Sequence, residues 1–149
     1  MGTLGSKYEF FHEWKRLSEQ EEGNVALETM LRGICKKDNF LDLLENFILF
    51  DHSDGKTVKI LARNHQYLGV NEAVKAYEAR KLNNGKLGVF WHTQGSGKSY
   101  SMVLLSQKIR RKFAGSPTIV ILTDRDELNT QISDTFENCG LLGKTKAAK

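Results

Sequence analysis

Apolar positions recur at helical spacing through roughly the first eighty residues and change to short uninterrupted runs after them. In "NVALETMLRGICKK", Leu27, Met30, Leu31 and Ile34 share one helical face. "DNFLDLLENFILF" places Phe40, Leu44, Phe47 and Ile48 on another, with Asp38 as the expected N-cap. A third helix is predicted over 65–80, where Tyr67, Val70, Val74 and Tyr77 repeat until "NNGK" ends it. The grammar then becomes strand, helix, strand, helix. Residues 87–91 are a short apolar run, and 99–112 read as a helix with Met102, Leu105 and Ile109 inward. "TIVIL" at 118–122 is a second run behind Pro117, followed by a helix carrying Leu128, Ile132 and Phe136 that Thr123 or Asp124 would cap. Continuous apolar runs suit strands buried on both faces of a parallel sheet, and the crossover between them is long enough for a βαβ unit.

The pattern therefore predicts an α/β chain, mostly helical up to about Thr57 and strand–helix alternating beyond the turn-like "FDHSDGKT". Charge divides at the same place. Residues 1–57 carry 7 basic and 11 acidic side chains, a net −4, whereas 58–149 carry 15 and 7, a net +8. A basic second part suits phosphate or nucleic acid, although a solvated charged surface would read the same way. With 149 residues, 40% hydrophobic, and a mean hydropathy of −0.44, the chain can bury one sizeable core. No apolar run approaches the roughly 20 residues that span a bilayer. The N-terminus lacks the layout of an export signal, so the expected location is the cytoplasm. Cys35 and Cys139 are too few for a disulfide framework or metal-ligand pairs and read as ordinary thiols. The basic tail "KTKAAK" is expected to fray.

"GVFWHTQGSGKSYSM" carries the chemistry. "GSGKS" falls where an apolar run gives way to a helix, and the first N–H groups of a helix have no intrahelical acceptors. Gly95 and Gly97 let the backbone curl around an anion, Lys98 brings positive charge to the β- and γ-phosphates, and Ser99 offers a hydroxyl to Mg²⁺. The alternative is a glycine turn joining strand to helix. The full pattern G-x-x-x-x-G-K-[ST] calls for glycine at position 92, where this chain has His92.

"WHTQGSGKS" followed by "TIVILTDRDELNTQI" resembles the restriction (motor) subunit of type I restriction-modification enzymes, in which a histidine at position 92 would be usual. "LTDRDELNTQ" is similar to that family's motif Ia, "NHQYLGVNEAV" to its Q motif, and "FLDLLENFILFDHSDGKTVKILARNHQ" to its bridge between nuclease and motor domains. The resemblance implies an ATP-driven superfamily 2 translocase on double-stranded DNA, complexed with specificity and methyltransferase subunits. Residues 1–57 would be the end of the nuclease domain and a helical bridge. Residues 58–149 would begin the first RecA-like P-loop domain, with its parallel sheet incomplete.

By the same resemblance, Gly95, Ser96, Gly97, Lys98 and Ser99 would hold ATP and Mg²⁺, and Gln66 would read the adenine edge. Thr123 and Arg125 would contact the DNA backbone, unless they only cap and solvate the next helix. "KIRRK" at 108–112 could touch phosphate, but complementing its helix dipole is the favoured reading. Glu13-x-Lys15 fits half of a nuclease signature by accident, since no aspartate-bearing strand precedes it. No D-E-x-H follows motif Ia, so the chain is expected to be a segment of a longer subunit, inactive alone. The competing readings are another P-loop ATPase, although the L-S-G-G-Q of a transporter is missing, and a non-catalytic nucleotide- or partner-binding fragment.

Overall fold

One hydrophobic core ties together residues from both parts of the chain: Trp14, Leu43, Phe47 and Leu49 pack with Tyr67, Val70, Val103, Leu104, Ile132 and Phe136. A computed structural model describes residues 2–3 and 6–142; the tail at 144–149, expected to fray, lies outside the described residues.

The first helix, α1 (Leu27–Met30), runs straight into a π-helical stretch, Leu31–Cys35, and α2 follows at Lys37–Asn46. An antiparallel hairpin of β1 (Ile48–Asp51) and β2 (Val58–Leu61) comes next, in the register Leu49↔Ile60 and Phe50↔Lys59. It pairs residues on either side of Thr57. Three longer helices complete the described chain: α3 (Asn64–Glu78), α4 (Lys98–Lys112) and α5 (Asp126–Asn138). Among the described residues none is long and apolar enough to cross a membrane.

The third predicted helix forms as α3, with Tyr67, Val70 and Val74 buried. The second departs from expectation. Phe40 and Leu44 are exposed, while Leu43 and Phe47 face the core. Ile48 is in a strand, because the backbone leaves the helix at Phe47 (φ −121°). "FILFD" combines β-branched and aromatic residues with alternating burial, and this two-residue period overrides the helical one. Asp38 sits in the first turn of α2 behind Lys36, where it complements the helix dipole rather than capping it. On α4, Val103 and Leu104 are fully buried, and Met102 and Leu105 only partly. Arg125, in extended conformation, holds the N-cap position of α5, so neither Thr123 nor Asp124 caps it.

The two runs expected as buried parallel strands form no strand and pair with nothing in a sheet among the described residues. Val89 is 94% exposed, Trp91 79% and Leu122 91%; Ile121 packs against the core. An apolar run records what a segment requires as a neighbour but does not supply it, and a parallel neighbour is necessarily distant in sequence. The described sheet is the local hairpin alone.

Candidate nucleotide site

The segment before α4 turns at residues 94–96 and enters the helix through Gly97. Gly95 and Gly97 have φ of +76° and +83°, in the left-handed region that side chains with a Cβ rarely adopt. Gly97 occupies the N-cap position of α4, and Ser101 is the residue whose N–H reaches back to its carbonyl, at 3.1 Å. The amides of Lys98, Ser99 and Tyr100 thus fall in the first turn, where a helix has no acceptors of its own. Lys98 folds across its own loop and donates from Nζ to the carbonyls of His92 (2.8 Å) and Thr93 (3.0 Å). The Ser96 hydroxyl is buried without a hydrogen-bond partner.

The N-terminal end of α3 supports this loop. Gln66 is buried; its Oε1 accepts the Arg63 N–H (2.9 Å) and its Nε2 donates to the Gly97 carbonyl (3.0 Å). His65 Nε2 lies 3.0 Å from the Ser96 carbonyl, and its ring meets His92 edge-on at 4.9 Å. Burial and then the neighbouring His65 push the His92 imidazole below its ordinary pKa, favouring the neutral ring. A cavity of about 760 Å³ opens beside the loop, lined among others by His12, Arg63, Gln66, Gly95, Gly97 and Tyr100. That volume is in the range that accommodates a nucleotide-sized ligand.

An anionic phosphate chain with Mg²⁺ fits these residues. The first-turn amides and Lys98 are donors, the space where a Gly95 Cβ would stand is open, and the Ser96 hydroxyl is unspent. Ser99 follows Lys98 in the first turn, half-buried, as the hydroxyl available to a metal ion. Structure thus brings Gln66, Gly95, Ser96, Gly97, Lys98 and Ser99 together. Thr123 and Arg125 lie just before α5, and Arg125 is exposed, 3.8 Å from the Asp124 carboxylate; of the candidate residues Gln66, Gly95 and Gly97 line the cavity, and Ser96, Lys98, Ser99, Thr123 and Arg125 do not. Glu13 and Lys15 pair with each other at the surface (2.9 Å).

Sequence reasoning missed the seam behind the site. Lys108 is only 5% exposed; its Nζ donates to both carboxylate oxygens of Asp42 (2.5 and 2.7 Å) and to Asn71 Oδ1 (2.6 Å). Arg111 donates to the Glu45 carbonyl and Lys112 pairs with Glu78. Most of the "KIRRK" charge is therefore used to bind α4 to α2 and α3. Asp42 and Lys108 are 66 residues apart, and no local pattern links them. Tyr100, in the first turn of α4, likewise donates to Asp51 of β1 at 2.6 Å.

A glycine-bearing loop with a lysine at a helix start is the arrangement in which phosphate-binding ATPases hold a nucleotide. The chain belongs to the SWI2/SNF2 ATPase family, whose profile matches residues 65–149. Within that class it is similar to the type I restriction enzyme HindI endonuclease subunit of Haemophilus influenzae, 37% identical over an alignment of 147 positions. The alignment covers 93% of this chain and 14% of that protein. Two proteins of Methanocaldococcus jannaschii, provisionally named type I restriction enzyme MjaIXP and MjaVIIIP endonuclease subunits, are each 33% identical, over 76% and 83% of this chain. The chain spans 11% and 12% of their lengths. No solved structure gives a significant match.

Proposed function

We propose that this chain works as part of the ATP-dependent DNA translocase and endonuclease subunit of a type I restriction enzyme, acting in the cytoplasm with specificity and methyltransferase subunits. Residues 58–149 would begin its first RecA-like domain, where 87–91 and 118–122 become strands of a parallel sheet. Residues 1–57 would end the nuclease domain and bridge to the motor, joined to it by the β1–β2 hairpin. The observation that supports this reading is the loop itself, where two left-handed glycines turn the chain into α4 and leave the first-turn amides and Lys98 at the same helix mouth. Lys98 would exchange the carbonyls of His92 and Thr93 for the β- and γ-phosphates, holding charge that grows toward the transition state. Bound Mg²⁺ would neutralise the phosphate oxygens, with Ser99 supplying a ligand. Gln66 would read the adenine edge with the second Nε2 hydrogen and second Oε1 lone pair that its bonds to Gly97 and Arg63 leave over, and Thr123 and Arg125 would meet the DNA backbone.

The test replaces Lys98 by alanine in a full-length subunit assembled with its partners. Hydrolysis should fall much further than ATP affinity, because the loop amides that hold the ground state remain. ATP-dependent cleavage should vanish, while target binding and methylation persist. Cleavage at near wild-type rate in the variant would rule out Lys98 as the motor's phosphate lysine. A second reading, a non-catalytic nucleotide- or partner-binding fragment, draws support from the exposed runs around Val89 and Val120. ATP turnover measured with and without DNA on the isolated chain separates the two. DNA-stimulated turnover near 1 s⁻¹, an order typical of enzymes, would exclude the fragment reading.

A further inference from the structure

We propose that His65 is a positioning residue for the phosphate loop, acting through the Ser96 carbonyl; the proposal rests on the nucleotide-site reading above. Ser96 stands between the two left-handed glycines, in the most pliable backbone of the site. Two successive carbonyls of that stretch are held by two successive side chains of α3, Ser96 by His65 at 3.0 Å and Gly97 by Gln66 at 3.0 Å. A carbonyl only accepts, so His65 carries its proton on Nε2.

In a planar trans peptide the C=O and the following N–H point in opposite directions. Drawing the Ser96 carbonyl toward the imidazole therefore turns the Gly97 amide away from it, and holding the Gly97 carbonyl does the same for the Lys98 amide. His65 and Gln66 together aim the two amides at the mouth of α4, where a phosphate would be taken. The imidazole is itself held in place. It meets His92 edge-on, His92 meets Phe90 at 4.4 Å, and Gly69 of α3 admits Phe90, since a Cβ there would lie 2.5 Å from its ring. Phe90, His92, Ser96 and Gly97 thus all rest against the His65, Gln66 and Gly69 positions of α3. In this role His65 touches no ligand, and its effect is independent of the base.

The experiment measures the affinity of the full-length subunit for Mg²⁺ complexes of ATP, GTP and inorganic triphosphate. It compares wild type, His65→Ala, His65→Gln and Lys98→Ala. His65→Ala should weaken all three about five- to tenfold, the worth of one neutral hydrogen bond. His65→Gln, whose amide nitrogen reaches as far as Nε2, should recover most of that loss. A loss confined to ATP would make His65 a base contact and overturn the proposal. So would a loss that His65→Gln does not rescue and that accompanies a lower melting temperature, which marks general packing. Triphosphate binding weakened in Lys98→Ala but intact in His65→Ala would overturn this inference alone. A wild-type subunit that binds none of the three would overturn the nucleotide-site reading with it.

Discussion

Replacing Asp42 by alanine would leave the Lys108 ammonium 5% exposed, with Asn71 Oδ1 at 2.6 Å, the face of Phe47 at 4.7 Å and the charge of Glu45 as its remaining partners. Removing one member of a buried ion pair costs about 3–5 kcal/mol. The Asp42 side chain is itself 23% exposed, so water can enter beside it, and the lower end, about 3 kcal/mol, is expected. A ceiling comes from titration: shedding the proton of an ordinary lysine at pH 7 costs about 4.6 kcal/mol, and beyond that Lys108 would become neutral. For a domain of this size 3 kcal/mol lowers the melting temperature by about 6–12 °C. The pH dependence has a definite sign. Burial already holds the Lys108 ammonium below the usual lysine value of 10.5 despite Asp42, and losing the carboxylate lowers it further. The folded variant then binds fewer protons than the unfolded chain, so its stability rises with pH until the usual lysine value is reached. The gap between variant and wild type in urea melts should therefore narrow from pH 7 to pH 10. The double variant Asp42→Leu/Lys108→Met should cost less than Asp42→Ala alone. A cost for Asp42→Ala below about 0.5 kcal/mol, or one that does not change with pH, would refute the buried-charge argument.

Three further outcomes are expected. Tyr100→Phe removes a donor to Asp51; burial alone would raise that carboxyl's pKa, but the Tyr100 hydroxyl and the Ser53 N–H outweigh it and hold it below 3.8. The bond's stabilisation, about 1.5–3 kcal/mol, is present above the usual aspartate value and lost as pH falls through the folded one. Wild type and variant should thus differ in melting at pH 7 and converge near pH 2; an equal gap at both would show that the acceptor is not the carboxylate. Gly33→Ala puts a Cβ on the indole nitrogen of Trp14 and should cost about 1–3 kcal/mol. In a Trp91→Phe background, where Trp14 alone reports, its emission should shift to the red, and an unchanged spectrum would contradict the close packing. Burial and Asp51 push the Cys139 thiol up to about 11, so iodoacetamide at pH 8 should alkylate exposed Cys35 well before Cys139; similar rates would show Cys139 open to solvent.

Local chemistry determined much of what is seen. "GSGKS" marks its own turn into a helix, because only glycine takes φ near +80° readily and the lysine and serine follow in the first helical turn. Helix α3 was legible for a similar reason: a 3.6-residue apolar period over four turns leaves no competing structure. The period failed at "NFILF", where four residues satisfy both periods and the antiparallel partner at 58–61 chose the strand. Tertiary structure alone decided which side chains meet across long loops. Gln66 and His65 reach a loop 31 residues away, and Lys108 reaches Asp42 across 66. Nothing in the neighbourhood of either partner encodes such a pairing, since the free energy of a buried charge or an aimed carbonyl depends on what the folded chain brings beside it. The sequence alone could therefore mark a candidate phosphate-binding loop and the helices on either side of it; which face of α3 that loop rests on, and which charges are spent in holding α4 to α2, belongs to the fold.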